Sequence, residues 1–250
     1  MNDRARQKLI LALDYPSLDP AFEIAQSLSN FVGIFKVNIH LFTAEGPSAV
    51  HKLNHLGPGI FLDLKFHDIP NTVQGAVVSA LGLPGVQLLD IHALGGFEMM
   101  RAAAKARNEA KGSKSAPKLL AVTILTSMDN AALRKVGIAG SASRRVLQLA
   151  RLAQKAGMDG VVASPQEVRA IRRACGKDFL IVVPGIRPLV GDAATGKHKT
   201  DDQARIATPA EAIRAGANYL VIGRPITGAP DPETAARAIL EEIGSALPRV

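Results

Sequence analysis

The stretch "GIFLDLKFHDIPNTVQGAVVSALGLPGVQLLDIHA", Gly59 to Ala93, shows how this chain alternates two kinds of segment. Its two ends are short apolar runs typical of buried strands, and the segment between them has the periodicity of a helix. Strands that alternate with helices predict a parallel sheet whose two faces are both covered. Similar apolar runs recur along the chain and give eight candidate strands: "KLILALD", "GIFKVN", "GIFLDLKF", "VQLLDIHA", "KLLAVTIL", "DGVVAS", "FLIVVPGI" and "NYLVIG".

Eight such units in 250 residues predict a single (β/α)8 barrel, a TIM barrel, that spans residues 1–250 as one domain. A doubly wound open sheet is the alternative, but no G-x-G-x-x-G motif follows the first strand, where the sequence is "LALDYPSLDP". A long polar loop at residues 187–209 follows the seventh strand, and we expect it to be a functional lid. Helical periodicity is present, for example, at residues 19–31, 72–83, 97–110, 143–157, 164–175 and 208–217.

The composition is ordinary for a globular protein, with 47% hydrophobic and 21% charged residues, but the chain is basic. A net charge of +8 and a pI of about 9.8 suit either nucleic acid or small anionic substrates. The basic residues are scattered, and only 4% of residues are aromatic, so stacking platforms for bases are lacking. We therefore expect a small anionic substrate and no nucleic-acid partner.

Cys175 is the single cysteine, which excludes an intramolecular disulfide and a thiolate metal cluster. The first residues, "MNDRARQK", lack the apolar core of a signal peptide, and no apolar run reaches the length of a membrane span. We therefore expect a cytoplasmic protein with no membrane partner. His51 and His55 could chelate a metal from one helix, but no H-E-x-x-H motif supports this, and surface histidines are the better interpretation.

Polar side chains follow the predicted strands, and in barrels of this type ligands bind at the carboxyl ends of the strands. Alternation along the third strand places Asp63, Lys65 and His67 on one face. Each such residue alone could be a solvated charge or, for Asp68, a helix cap. Together they predict a charged mouth at one end of the barrel. The residues at the strand ends are Asp14, Lys36, Asp63, Lys65, Asp90, His92, Thr123, Thr126, Arg187 and Arg224.

Two groups stand out among these residues. A charge inside a barrel without a partner would cost several kcal/mol, so we expect the acids and lysines of the first three strands to neutralise one another. "PGIRP" and "VIGRPI" end the seventh and eighth strands, the usual phosphate position of such barrels. Gly185 and Gly223 could merely allow tight turns there, but the forked donors of Arg187 and Arg224 favour phosphate.

The stretch "LDLKFHDIPNTV" resembles the D-x-K-x-x-D signature of the orotidine 5'-phosphate decarboxylase family, which makes UMP in de novo pyrimidine synthesis. Sister families of sugar-phosphate decarboxylases and hexulose-phosphate synthases share the signature but use magnesium, held partly by an acidic residue on the second strand. This chain has Lys36 on that strand, and a lysine repels a divalent cation. Further blocks similar to the decarboxylase family follow one another in order: "LALDYP", "FKVN", "DIHALGG", "TILTS", "VPGIRP", "DDQARIATP" and "VIGRPI".

The resemblance implies a homodimeric enzyme that decarboxylates orotidine 5'-phosphate without a cofactor or a metal. It implies that Asp63, Lys65 and Asp68 form the reacting group, with Lys36 paired to Asp63 and with Lys65 protonating C6 of the pyrimidine. Asp68 and Thr72 are implied to complete the site of the neighbouring subunit. The implied substrate contacts are Asp14 and Lys36 at the ribose, Thr126 at the pyrimidine, Gln203 between base and phosphate, and Arg187, Gly223 and Arg224 at the phosphate. A basic barrel that binds a nucleotide or nucleic acid without chemistry is the non-enzymatic alternative.

Overall fold

A computed structural model describes residues 2–110, 116–188 and 206–248. Eight parallel strands close into a barrel in chain order, with each strand pairing to the next and the eighth pairing back to the first. The predicted TIM barrel is therefore confirmed, and each of the eight predicted segments contains a strand. The strands are β1 (Leu9–Leu13), β2 (Ile34–Asn38), β3 (Gly59–Phe66), β4 (Val86–His92), β5 (Lys118–Val122), β6 (Gly160–Val162), β7 (Leu180–Val183) and β8 (Tyr219–Ile222).

Helices connect the strands, and several begin at the capping residues that the sequence supplies. Ser141 accepts the amide hydrogen of Arg144 before one helix, and Thr208 forms a capping box with Glu211 before another. Within the described ranges the helices are α1 (Asp3–Arg6), α2 (Leu18–Leu28), α3 (Ile39–Glu45), α4 (Pro47–Asn54), α5 (Pro70–Leu81), α6 (Gly96–Glu109), α7 (Asn130–Lys135), α8 (Ala142–Lys155), α9 (Val168–Cys175), α10 (Pro209–Ala215), α11 (Arg224–Thr227) and α12 (Pro232–Ala246).

Two apolar layers stabilise the barrel. The larger layer lies between the outer faces of the strands and the helices, and it includes Leu11, Phe35 and Leu89. Burying a side chain of this size fully contributes about 1.5–3 kcal/mol relative to exposure. The second layer fills the barrel interior and leaves the carboxyl ends of the strands open for a ligand. Its buried members are Ile10, Ile34, Phe61, Leu88, Leu120 and Val182.

Strand β3 departs from a regular ladder within the D-x-K-x-x-D signature. Leu62 and Phe66 pair with Leu89 and Ile91 of β4, so four steps along β3 span only two steps along β4. The two extra residues form a bulge, and bulges near active sites redirect side chains. Lys65 lies in this bulge with φ of +51°, and it is the one described non-glycine residue with a positive φ. Simple alternation of faces therefore ends at Leu62.

Candidate active site

A cavity of about 320 Å³ opens at the carboxyl ends of the strands. Its volume is within the usual range for small-molecule sites. Apolar side chains of the barrel interior, among them Phe61 and Val122, line its deeper part. The structure thus brings most of the predicted strand-end residues to one place. The polar side chains that line the cavity are Asp14, Lys36, Asp63, Lys65, Thr126, Ser127, Arg187 and Arg224.

Four charged side chains of alternating sign form a continuous row in this cavity. Lys36 Nζ lies 3.0 Å from Asp14 Oδ1 and 3.1 Å from Asp63 Oδ2. Lys65 Nζ contacts the other oxygen of Asp63, so two ammonium groups flank one carboxylate. The predicted pairing of acids with lysines is therefore observed.

Burial and charge act in opposite directions on the two central members of the row. Burial alone would raise the pKa of Asp63 and lower the pKa of Lys36, because both side chains are almost enclosed. The ammonium groups of Lys36 and Lys65 outweigh burial at Asp63 and hold its pKa below the usual range. The carboxylates of Asp63 and Asp14 outweigh it at Lys36 and raise the pKa of that lysine. Both groups therefore stay charged at neutral pH.

The backbone of Lys65 is anchored to β4 by a buried carboxyl group. Its amide hydrogen is donated to Asp90 Oδ1 at 2.8 Å, and Asp90 has no exposed surface. Burial, reinforced by the neighbouring Asp63, raises the pKa of Asp90 well above its usual value. The sequence places Asp90 at a strand end but does not indicate its contact with Lys65, because that contact depends on the bulge in β3.

Two other side chains near the row take positions that the sequence pattern did not indicate. Asn38 Nδ2 donates to Asp14 Oδ1 at 2.9 Å, and the Asn38 side chain also caps α3. Its place two residues after Lys36, at the end of β2, is the signal that could have found it. His67 does not share the cavity with Asp63 and Lys65, because the bulge turns it away, and its ring stacks on His92 with 5.3 Å between centroids.

Arg187 and Arg224 come from adjacent strand ends and both line the cavity. Arg187 follows β7, and Arg224 begins α11 directly after Gly223 at the end of β8. A Cβ at Gly223 would lie 3.2 Å from Cβ of Ala12 and 3.5 Å from Oδ2 of Asp14, so a side chain there would crowd the site. Two guanidinium groups beside a glycine turn are well suited to hold a phosphate.

Not every residue of the predicted set lies in the cavity. Asp68 and Thr72 are exposed and lie outside its lining, with Asp68 in a shallow groove beside Ile69. Thr123 is buried and its hydroxyl donates to the Val162 carbonyl at 3.0 Å, so it supports the barrel. Gln203, with most of the predicted lid at residues 187–209, lies outside the described residues.

The predicted surface position of the two spaced histidines is confirmed. His51 on α4 and His55, which directly follows the helix, are both exposed. In the described ranges, no group of three or more His, Cys, Asp or Glu side chains is arranged to hold a metal ion. Within the same ranges, none of the helices is long and apolar enough to cross a membrane.

A model of the Orotidine 5'-phosphate decarboxylase / HUMPS family matches residues 7–239. The chain belongs to this family. It is 52% identical over 242 residues to the orotidine 5'-phosphate decarboxylase of Moorella thermoacetica, covering 96% of this chain and 93% of the relative. It is 53% identical over 242 residues to that of Geobacter sulfurreducens, covering 96% and 98%. The crystal structure of orotidine 5'-phosphate decarboxylase from Lactobacillus acidophilus is similar, with a TM-score of 0.80, 38% identity and coverage of 94% and 98%.

Membership of the orotidine 5'-phosphate decarboxylase family confirms the resemblance seen in the D-x-K-x-x-D signature. The signature residues Asp63 and Lys65 lie in the cavity, whereas its second aspartate, Asp68, lies outside. The family match spans the barrel from β1 into α12, so the likeness covers the whole fold and not one motif.

Proposed function

We propose that this chain removes CO2 from orotidine 5'-phosphate and forms UMP in de novo pyrimidine biosynthesis. The observation that carries the proposal is the row of Asp14, Lys36, Asp63 and Lys65 in a cavity that also holds two arginines. The substrate has a phosphate at one end and a ring carboxylate at the other. A molecule with an anionic group at each end suits a cavity with cationic groups at both positions.

The proposed chemistry centres on Lys65. The bond between C6 and the carboxylate breaks, its electron pair stays on C6, and CO2 leaves. A proton from Lys65 Nζ then forms the C6–H bond, and solvent restores the ammonium. Because the electron pair lies in the ring plane, the π system cannot delocalise it, and a fixed positive charge beside C6 provides the stabilisation.

Lys36 and Asp63 are proposed to prepare Lys65 for this step. Asp63 contacts the Lys65 ammonium and would lie beside the departing carboxylate. Lys36 keeps Asp63 ionised and is proposed to contact the ribose together with Asp14. A metal or cofactor is not required in this scheme, because the lysines neutralise both carboxylates of the row and supply the positive charge.

The remaining substrate contacts follow from the two ends of the cavity. Arg187, Gly223 and Arg224 are proposed to bind the phosphate, and Thr126 to contact the pyrimidine edge. We further propose that the loop at residues 187–209 closes over the phosphate as a lid and brings Gln203 to the substrate. This last assignment rests on the family resemblance alone.

We also propose that the enzyme acts as a homodimer in which Asp68 and Thr72 complete the partner's site. Both residues face solvent in the single chain, although Asp68 belongs to the signature. Next to them Ile69 is 66% exposed, and Leu94 in the same groove is 42% exposed. Large apolar side chains exposed together are typical of an interface between subunits.

A spectrophotometric assay of orotidine 5'-phosphate, run with and without EDTA, tests the proposed function. We expect conversion to UMP in both conditions, and almost none with Lys65→Ala. Lys118→Ala is the matched control, because Lys118 starts β5 at the opposite end of the barrel. Salt-dependent binding of polyanions with no spectral change would instead support the non-enzymatic alternative, and loss of turnover in EDTA would contradict the metal-free scheme.

Mixing two inactive variants tests the shared site. In a heterodimer of Lys65→Ala and Asp68→Ala subunits, one site would carry both substitutions and the other would be intact. We expect about a quarter of wild-type activity to return, because about half the dimers are mixed. No recovery, with subunit exchange verified by mass spectrometry, would mean that Asp68 does not act across the interface.

A further inference from the structure

Asp90 is a buried acid that lies beneath the charge row and outside the cavity lining. It is 0% exposed, and it lies two residues after Leu88, which belongs to the apolar interior of the barrel. Its Oδ1 accepts the amide hydrogen of Lys65 at 2.8 Å. Its carboxyl group lies close to that of Asp63. No described residue donates a hydrogen bond to its Oδ2.

The charges around Asp90 do not favour a further carboxylate. The row of two aspartates and two lysines is already neutral, so an ionised Asp90 would leave a buried net charge of one unit. The ionisable groups that face it are Asp63 and Lys65 on β3, with His92 following on its own strand. From the other side β5 offers only Leu120 and its apolar neighbours. Two adjacent buried carboxyl groups cannot both ionise without a large penalty.

We propose that Asp90 is a positioning residue for Lys65, and that it acts as a neutral carboxylic acid. Its Oδ1 accepts the Lys65 amide hydrogen, and its Oδ2–H donates to the Asp63 carboxylate. One side chain thereby holds both the backbone of the proton donor and the carboxylate that contacts its ammonium. Burial and the neighbouring Asp63 raise the pKa of Asp90, which agrees with the neutral form.

The Lys65 backbone explains why such an anchor is needed. A lysine with φ of +51° occupies a region that residues with a side chain rarely adopt, and it lies in a bulge that lacks regular pairing. Without the Asp90 acceptor, the Lys65 N–H would have no partner, and the bulge could relax toward the regular ladder. Relaxation would move the ammonium away from Asp63, because register decides which face a side chain occupies.

The role of Asp90 deepens the proposed decarboxylase function and rests on it. We expect Asp90→Leu to lower kcat by about 100-fold, the usual cost of misplacing a catalytic group by about an ångström. KM should change little, because the arginines and Asp14 are untouched. Asp90→Asn keeps the acceptor and replaces the O–H donor with N–H, so it should restore most of the lost kcat. An equal loss of kcat in both variants would overturn the proposal that Asp90 acts as a neutral carboxylic acid.

Infrared difference spectroscopy tests protonation without any turnover. The wild-type minus Asp90→Asn spectrum at neutral pH should contain the C=O band of a protonated carboxylic acid, shifted in D2O. Asp159→Asn is the control, because Asp159 also accepts a buried amide hydrogen, from Leu119 at 2.8 Å, but pairs with Arg107 and Lys118. It should give no such band and leave kcat unchanged. A missing band at Asp90 would refute the proposal, whereas an inactive wild type that retains the band would refute only the decarboxylase function.

Discussion

Replacing Lys36 with methionine should destabilise the fold, because it removes an ammonium group from between two carboxylates. The Lys36 side chain is 10% exposed and that of Asp63 is 9% exposed, and their charged atoms lie 3.1 Å apart. Removing one partner of a buried ion pair lowers the free energy of unfolding by about 3–5 kcal/mol, because the other charge stays buried without its partner. Lys65 still contacts Asp63 in this variant, so we expect the lower end of that range, about 3 kcal/mol.

Urea unfolding at neutral pH and fixed protein concentration measures this loss. Lys118→Met is the matched control, because Lys118 Nζ also pairs with a carboxylate, 3.4 Å from Asp159 Oδ1, but the Lys118 side chain is 55% exposed and that of Asp159 is 16% exposed. Asp159 retains Arg107 at 2.6 Å, so the control should lose about 1 kcal/mol or less. Equal losses in the two variants would refute the buried-charge reasoning.

The pH dependence of the Lys36→Met deficit provides a second check. The folded pKa of Asp63 is lowered, so its ionised form contributes stability above the ordinary carboxyl pKa of 3.8, and this contribution is lost as the pH falls toward the folded value. The difference between wild type and Lys36→Met should therefore be largest at neutral pH and shrink below pH 3.8. A deficit that grows in acid would contradict the assignment of the charge on Asp63.

Three further changes test other parts of the structure. Arg224→Ala should lower kcat/KM, with a loss of transition-state stabilisation of about 1.5–3 kcal/mol, the contribution of hydrogen bonds to a charged phosphate. An unchanged kcat/KM would contradict the placement of Arg224 at the phosphate. Burial, with His67 and Lys65 nearby, lowers the pKa of His92 from 6.5 to about 4. Between these pH values the unfolded chain binds a proton that the folded chain does not, so the free energy of unfolding should decrease as the pH falls from 6.5 to about 4. His92→Asn should flatten that slope in thermal melts, and identical slopes would contradict it. Gly160→Ala should cost about 1–3 kcal/mol in urea unfolding, because its Cβ would overlap the Leu180 carbonyl oxygen, and a wild-type midpoint would contradict this packing.

The barrel could be predicted from local patterns because its requirements are local. Strands buried on both faces need continuous apolar runs, and the segments between them need a helical period, so "GIFLDLKF" and "VQLLDIHA" indicate the fold without any distant contact. The gathering of Asp14, Lys36, Asp63 and Arg224 also follows, because the carboxyl ends of parallel strands meet at one edge. Helices α3 and α4 gave no such signal, since Gly46 and Pro47 divide them into pieces too short to show a period.

The details of the site depend on contacts that no local pattern contains. Alternation along β3 predicts that His67 shares a face with Lys65, but the bulge against β4 turns it away to stack on His92. The anchor of Lys65 is an acid 25 residues away in sequence, brought beneath it by cross-strand register. Whether that acid is a carboxylate or a neutral carboxyl group depends on its burial and on the charges packed around it. Residue types and spacing therefore determine the barrel and the charges at its mouth, whereas tertiary packing determines their geometry and protonation.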